Sequence, residues 1–149
     1  MPRDFKESIN PYIGLIPSEW KEIKNRYLFV HDKIIVKERY KETQLLSLTT
    51  KGIVKKDIES NEGKMPSDFG TYQEVKKDQV VLCLFDLDCS AVFSGVSSYD
   101  GMISPAYKVV SCTDRILPRF AEYWFENIGN RRSYMYHSKS LRYTINDDM

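Results

Sequence analysis

Asp86 and Asp88 stand two residues apart at the end of the apolar run "VVLCLFDLD". Carboxylates at the mouth of a buried strand are where metal-dependent nucleases keep the groups that hold a divalent ion. Such a site also wants a third acid and a lysine close by, and the following "AVFSGVSS" has neither. The pair therefore reads first as a solvated turn between two strands, with a metal-dependent nuclease using Asp86 and Asp88 as the alternative. His31 and His137 lie far apart, with no acid at a catalytic spacing. There is no G-x-S-x-G elbow, no phosphate-binding glycine loop and no H-E-x-x-H pair. Cys83, Cys89 and Cys112 form no C-x-x-C motif, so they read as reduced, mostly buried thiols of a cytoplasmic protein. No enzyme activity, metal or cofactor is expected from these residues.

Charge says more by its distribution than by its sum, which is +1. The stretch "GNRRSYMYHSKSLRY" carries Arg131, Arg132, Lys139 and Arg142 with no acid among them. Tyr134, Tyr136, His137 and Ser138 are interleaved with those cations. Arginine and lysine neutralise phosphates, while tyrosine and serine donate to phosphates or reach base edges. A second basic cluster, Lys51, Lys55 and Lys56 in "KGIVKK", is diluted by Asp57, Glu59 and Glu62. Charge alone favours an ordinary solvated face, and a tyrosine-rich surface for another protein is a further reading.

The elements that must position these residues can be sketched from pattern. Residues 1–17 read as an extended lead-in punctuated by Pro2, Pro11 and Pro17. Ser18 is placed to cap a helix bearing Trp20, Ile23 and Tyr27. "KIIVKERY" fits helix or strand. "TQLLSLTTKGIVKKD" reads as two strands turning at Lys51-Gly52, and "IESNEGKMPSDFGTY" as a long polar loop with functional potential. "QVVLCLFDL", "SAVFSG" and "AYKVVSC" have hairpin-like spacing. A helix over "PRFAEYWFENIG" would start at Pro118, bury Phe120, Tyr123, Trp124 and Ile128, and stop at Gly129.

These pieces predict an α+β fold, a mainly antiparallel β-sheet with a few flanking helices, in one compact domain with long polar loops. The 149 residues, 42% hydrophobic and 29% charged, suit a single domain with a real core. Ten tyrosines against seven phenylalanines and two tryptophans favour half-wet surfaces. The longest apolar run stops at Asp86, far short of the roughly 20 residues of a membrane span, and "MPRDFKESINPY" has no apolar core, so no secretory leader is expected there.

Five segments in order, "IPSEWKEIK", "LLSLTTKGIVKKD", "GKMPSDFGTYQEVKKDQVVLCLFDLD", "GVSSYDGMISPAYKVV" and "SKSLRYTIND", resemble a target recognition domain. The family is the specificity subunit of type I restriction-modification systems. The likeness runs from about Ile16 to Asp147 and is most specific at Gly101 to Val109 and Tyr72 to Val81. It implies a non-catalytic module that reads one half of a bipartite target on double-stranded DNA, with a methyltransferase subunit and a restriction subunit as partners. The family pattern has two such domains, each followed by a long spacer helix. This sequence holds one domain over residues 1–149, without the second domain or the spacer helix, which makes a half-length form or a fragment the expectation.

With that frame, the expected DNA contacts are Lys51, Lys64, Tyr72, Tyr99, Arg131, Arg132, Tyr136, Ser138, Lys139 and Arg142. Arg131 or Arg132 is the expected base reader, since bidentate arginine to guanine is the commonest specific contact. Lys64 and Arg142 are expected on phosphates. Pro105, Ala106 and Tyr107 are assigned to scaffold, Gly95 and Gly101 to a tight turn, and the Ser97–Asp100 tip remains available for contact.

Overall fold

A computed structural model describes residues 2–11, 13–58, 66–85 and 92–131, with backbone alone for 66–68 and 131. In chain order the strands are β1 Phe5–Glu7, β2 Leu15–Pro17, β3 Phe29–His31, β4 Leu45–Thr49, β5 Gly52–Lys56 and β6 Gln73–Val75. They continue with β7 Val80–Leu82, β8 Ser94–Val96, β9 Gly101–Ile103 and β10 Lys108–Cys112, and helix α1 spans Pro118–Arg131. Short 3-10 turns cover Asn25–Tyr27, Lys37–Glu42 and Pro66–Thr71. The fold is α+β with mostly antiparallel pairing, as the sequence pattern predicts.

β1 and β2 form a separate hairpin. One four-stranded sheet has the order β3-β10-β7-β8, all antiparallel. The other has the order β5-β4-β9-β6, in which β4 and β9 run parallel through Leu45 and Met102. Strand alternation sorts the apolar residues into layers. Val80, Leu82 and Val110 meet Ala121, Phe125 and Ile128 of α1. Val81, Cys83 and Val109 point the other way and meet Leu46, Leu48, Ile53, Val75 and Ile103 of the second sheet. Leu45 and Met102, on the far side of that sheet, are covered by Val36, Phe69 and Tyr72. Burying each Val, Leu, Ile, Phe or Met side chain among them contributes about 1.5–3 kcal/mol.

Three local expectations change. No α-helix follows Ser18: the chain runs irregularly to the 3-10 turn, leaving Trp20, Ile23 and Tyr27 exposed. Glu22 is held elsewhere, accepting from the backbone N–H of Ile9 at 2.9 Å and from the Ser8 hydroxyl. Trp20 instead meets Phe120 edge-on at 5.8 Å. On α1 the buried stripe is Ala121, Phe125 and Ile128, with Trp124 half-buried, while Phe120 and Tyr123 are exposed. Gly129 does not stop the helix. It lies within it, where an added Cβ would come 2.9 Å from Phe93 Cβ.

Gly95 and Gly101 are likewise packing glycines rather than turn glycines. A Cβ on Gly95 would meet Leu48 Cδ1 at 2.8 Å, and one on Gly101 the Gln44 carbonyl at 2.4 Å. Pro105 sits in the Ser104–Tyr107 turn that feeds β10, outside the ladder, so its missing N–H costs no strand bond.

Candidate nucleic-acid interface

Lys51 occupies the tip of the β4–β5 hairpin, at the turn the sequence marks. Thr49 Oγ1 accepts from the Lys51 N–H at 3.2 Å and donates to the Gly52 carbonyl at 2.8 Å. Gly52 takes φ +95, the left-handed conformation that glycine adopts without a Cβ clash. The Lys51 side chain is exposed.

Tyr99 is displayed between β8 and β9, 38% exposed. Ser97, buried beneath it, donates its hydroxyl to the Tyr99 carbonyl at 2.6 Å and accepts from the Tyr99 N–H at 3.1 Å. Asp100 accepts from the Lys77 N–H at 2.8 Å. Ser97 is thus internal wiring and not part of a reading tip. The Tyr99 ring carries the Lys55 ammonium 4.7 Å from its centroid, which links this loop to β5.

Tyr72 is a correction. Its side chain is 5% exposed and meets Phe69 edge-on at 5.0 Å. The Val36 N–H donates to its carbonyl at 2.9 Å. Covering Leu45 and Met102 takes the ring away from solvent, so Tyr72 belongs to the core and not to a DNA contact. Arg131 ends α1, its side chain outside the described atoms. Lys64, Arg132, Tyr136, Ser138, Lys139, Arg142, Asp86, Asp88 and Cys89 all lie outside the described residues.

At the open end of the β4–β5 hairpin, Lys55 and Lys56 of the second basic cluster are joined by Lys41, which the charge runs did not reveal. An open depression of about 680 Å³ is walled by Lys41, Lys55 and Lys56, with Asp57 as its one acid among the described lining residues. The register that sets Leu45 opposite Lys56 brings the end of β5 beside the 3-10 turn of Lys41. Gln44 Nε2 clasps the junction, donating to the carbonyls of Lys56 at 2.8 Å and Leu45 at 2.9 Å. Thr43 donates to the Arg39 carbonyl at 2.6 Å and fixes the turn's end. Arg39 itself is committed to Glu74 at 3.6 Å. In the sequence Lys41 hides between Glu38 and Glu42. The hairpin register was the available clue.

No group of three or more His, Cys, Asp or Glu able to hold a metal occurs among the described residues. Cys83 is buried and Cys112 half-buried, both unbridged. Burial pushes the Cys112 thiol pKa up, and the Asp78 carboxylate adds to the effect. No helix among the described residues is long and apolar enough to cross a membrane. No family model matches the chain, and no curated protein matches it.

Proposed function

We propose that the chain is a non-catalytic, sequence-specific module for double-stranded DNA, reading one half of a bipartite target as part of a type I restriction-modification specificity subunit. The observation that carries this reading is the ordered set of segments from Ile16 to Asp147, densest at "GMISPAYKV". The geometry supports it in kind: that segment is buttressed scaffold. Gln73 Nε2 donates to the carbonyls of Ser104 at 2.9 Å and Tyr107 at 2.6 Å. Polar loops on a stiff α+β frame suit recognition, because the frame fixes where the loops stand. In this reading a methyltransferase subunit and a restriction subunit carry the chemistry, and the setting is the cytoplasm.

The test is selection of the purified chain against randomised duplexes, followed by titration of the enriched pool at several salt concentrations. A short consensus, bound more tightly than random duplex, is the expected result. Binding without any enrichment, or magnesium-dependent cleavage of plasmid that Asp86→Ala abolishes, overturns it.

A further inference from the structure

We propose that the depression walled by Lys41, Lys55 and Lys56 is a seat for the phosphodiester backbone of duplex DNA, and so supplies affinity rather than sequence choice. The inference rests on the DNA-binding reading and names residues that the resemblance and the basic tail leave unassigned.

Three lysines and, among the described residues, a single acid line the depression, on a surface otherwise mixed in sign. Its cations are set by backbone devices rather than left on mobile loops. Lys55 and Lys56 close β5, whose end is held to β4 through Gln44. Lys41 Nζ lies 5.9 Å from the ring of Tyr40, which also lines the depression, whereas Lys55 Nζ sits 4.7 Å from the ring of Tyr99, which does not, so Lys41 and Lys56 are the cations assigned to the seat. Each aromatic face favours a cation beside it, which limits where the ammonium wanders. Lysine is a compact, strongly hydrated point charge, matched to a phosphate oxygen more than to the paired acceptors of a base edge. The depression is open rather than enclosed, so a backbone seated there stays in contact with solvent.

β5 is also the edge of its sheet, where lysines deter pairing with another chain. The two roles differ in what they predict. A phosphate contact releases condensed counterions, so losing it flattens the salt dependence of DNA affinity by about 0.9 per contact. An edge guard changes only self-association.

The experiment compares the full chain with Lys41→Ala/Lys56→Ala by fluorescence anisotropy, on both the selected and a random duplex, between about 50 mM and about 200 mM salt. The expected slope falls by roughly 1.8, and affinity for the two duplexes weakens by the same factor. Lys41→Gln/Lys56→Gln should behave alike, and serves if the alanine pair loses its thermal transition. Lys21→Ala/Lys24→Ala, which removes equal charge from the segment before β3, should keep the wild-type slope. An unchanged slope in the depression variants, equal loss in the Lys21/Lys24 control, or loss confined to the selected duplex overturns this seat while leaving DNA recognition standing. Variants that only self-associate on a sizing column assign the lysines to edge protection and overturn it too. If the wild-type chain binds no duplex at the lowest salt, the DNA-binding reading falls and the seat with it.

Discussion

Gln73 Nε2 lies 2.6 Å from the Tyr107 carbonyl oxygen, across the boundary between β6 and the turn that opens β10. The same nitrogen reaches the Ser104 carbonyl, and the side chain is 1% exposed. Lys33 Nζ donates to the Pro105 carbonyl from outside at 3.1 Å. The proline turn is therefore pinned on two sides by side chains from elsewhere in the chain. Gln73 Oε1 has no hydrogen-bond partner among the described residues, so the amide acts here through its donors.

Replacing Gln73 by Leu should cost about 1–3 kcal/mol in urea unfolding, because two half-buried carbonyls lose their donor. Gln73→Glu should cost more at neutral pH, where a carboxylate would face those carbonyls. Burial raises that glutamate's folded-state pKa above its unfolded value, so the penalty is full above the folded pKa and shrinks as pH falls through it. Stability measured at pH 7 and pH 5 should narrow the gap between Gln73→Glu and wild type. A gap that widens on acidification rejects the assignment.

Gly101 and Gly52 separate two reasons for glycine. Gly101→Ala would drive a Cβ to 2.4 Å from the Gln44 carbonyl, a backbone atom that also accepts from the Met102 N–H at 2.8 Å. The β4–β9 junction must give way, at a cost of about 3 kcal/mol. Gly52→Ala meets nothing within 4 Å and suffers only its φ of +95, a cost near 1 kcal/mol. Denaturant midpoints should rank the two in that order.

The contrast explains what could be read in advance. The β4–β5 hairpin and the start of α1 at Pro118 are written in local residues, and both lie where pattern puts them. Gly95 and Gly101 resemble turn glycines because their true partners, Leu48, Ile53 and Gln44, are remote in the chain. Trp20, Ile23 and Tyr27 have helical spacing, but the contact of Ile9 with Glu22 and of Trp20 with Phe120 comes from outside the segment. Tyr72 shows the same gap: a tyrosine beside a polar loop can face DNA or cover a sheet, and only Phe69 and Met102 decide. For the candidate interface, charge runs located Lys51, Lys55 and Lys56 but not Lys41, which the fold brings beside the end of β5.

Helix α1 offers a paired test of its orientation. Phe125 is 2% exposed and packs at 5.1 Å from Phe29, so Phe125→Ala should cost about 3–5 kcal/mol. Phe120 is 46% exposed and keeps chiefly its edge contact with Trp20, so Phe120→Ala should cost about 1 kcal/mol. Equal losses in thermal unfolding would mean the helix is turned differently.

Cys112 should alkylate slowly. Burial is the main reason its thiol pKa is raised, so less reactive thiolate is present near neutral pH. The rate of iodoacetamide labelling should keep rising at pH values where an ordinary thiol has levelled off. Asp78→Asn should move that profile a little toward lower pH, since Asp78 is the lesser cause. A profile unmoved from that of a free thiol would exclude both effects.

The basic segment after Gly129 gives the sharpest test of how recognition is divided. Arg142→Ala should weaken selected and random duplexes alike and flatten the salt slope by about 0.9, as loss of a phosphate contact does. Arg131→Ala and Arg132→Ala should differ from each other. The arginine that reads guanine should lose about 1–3 kcal/mol of discrimination on the selected duplex while random-duplex binding changes far less. Competition titrations, selected against random duplex, separate the two patterns. If both arginine variants lower affinity without changing the ratio, the segment grips backbone only. Sequence choice must then come from the loops between strands or from the deformability of the DNA itself, which can specify bases that are never touched.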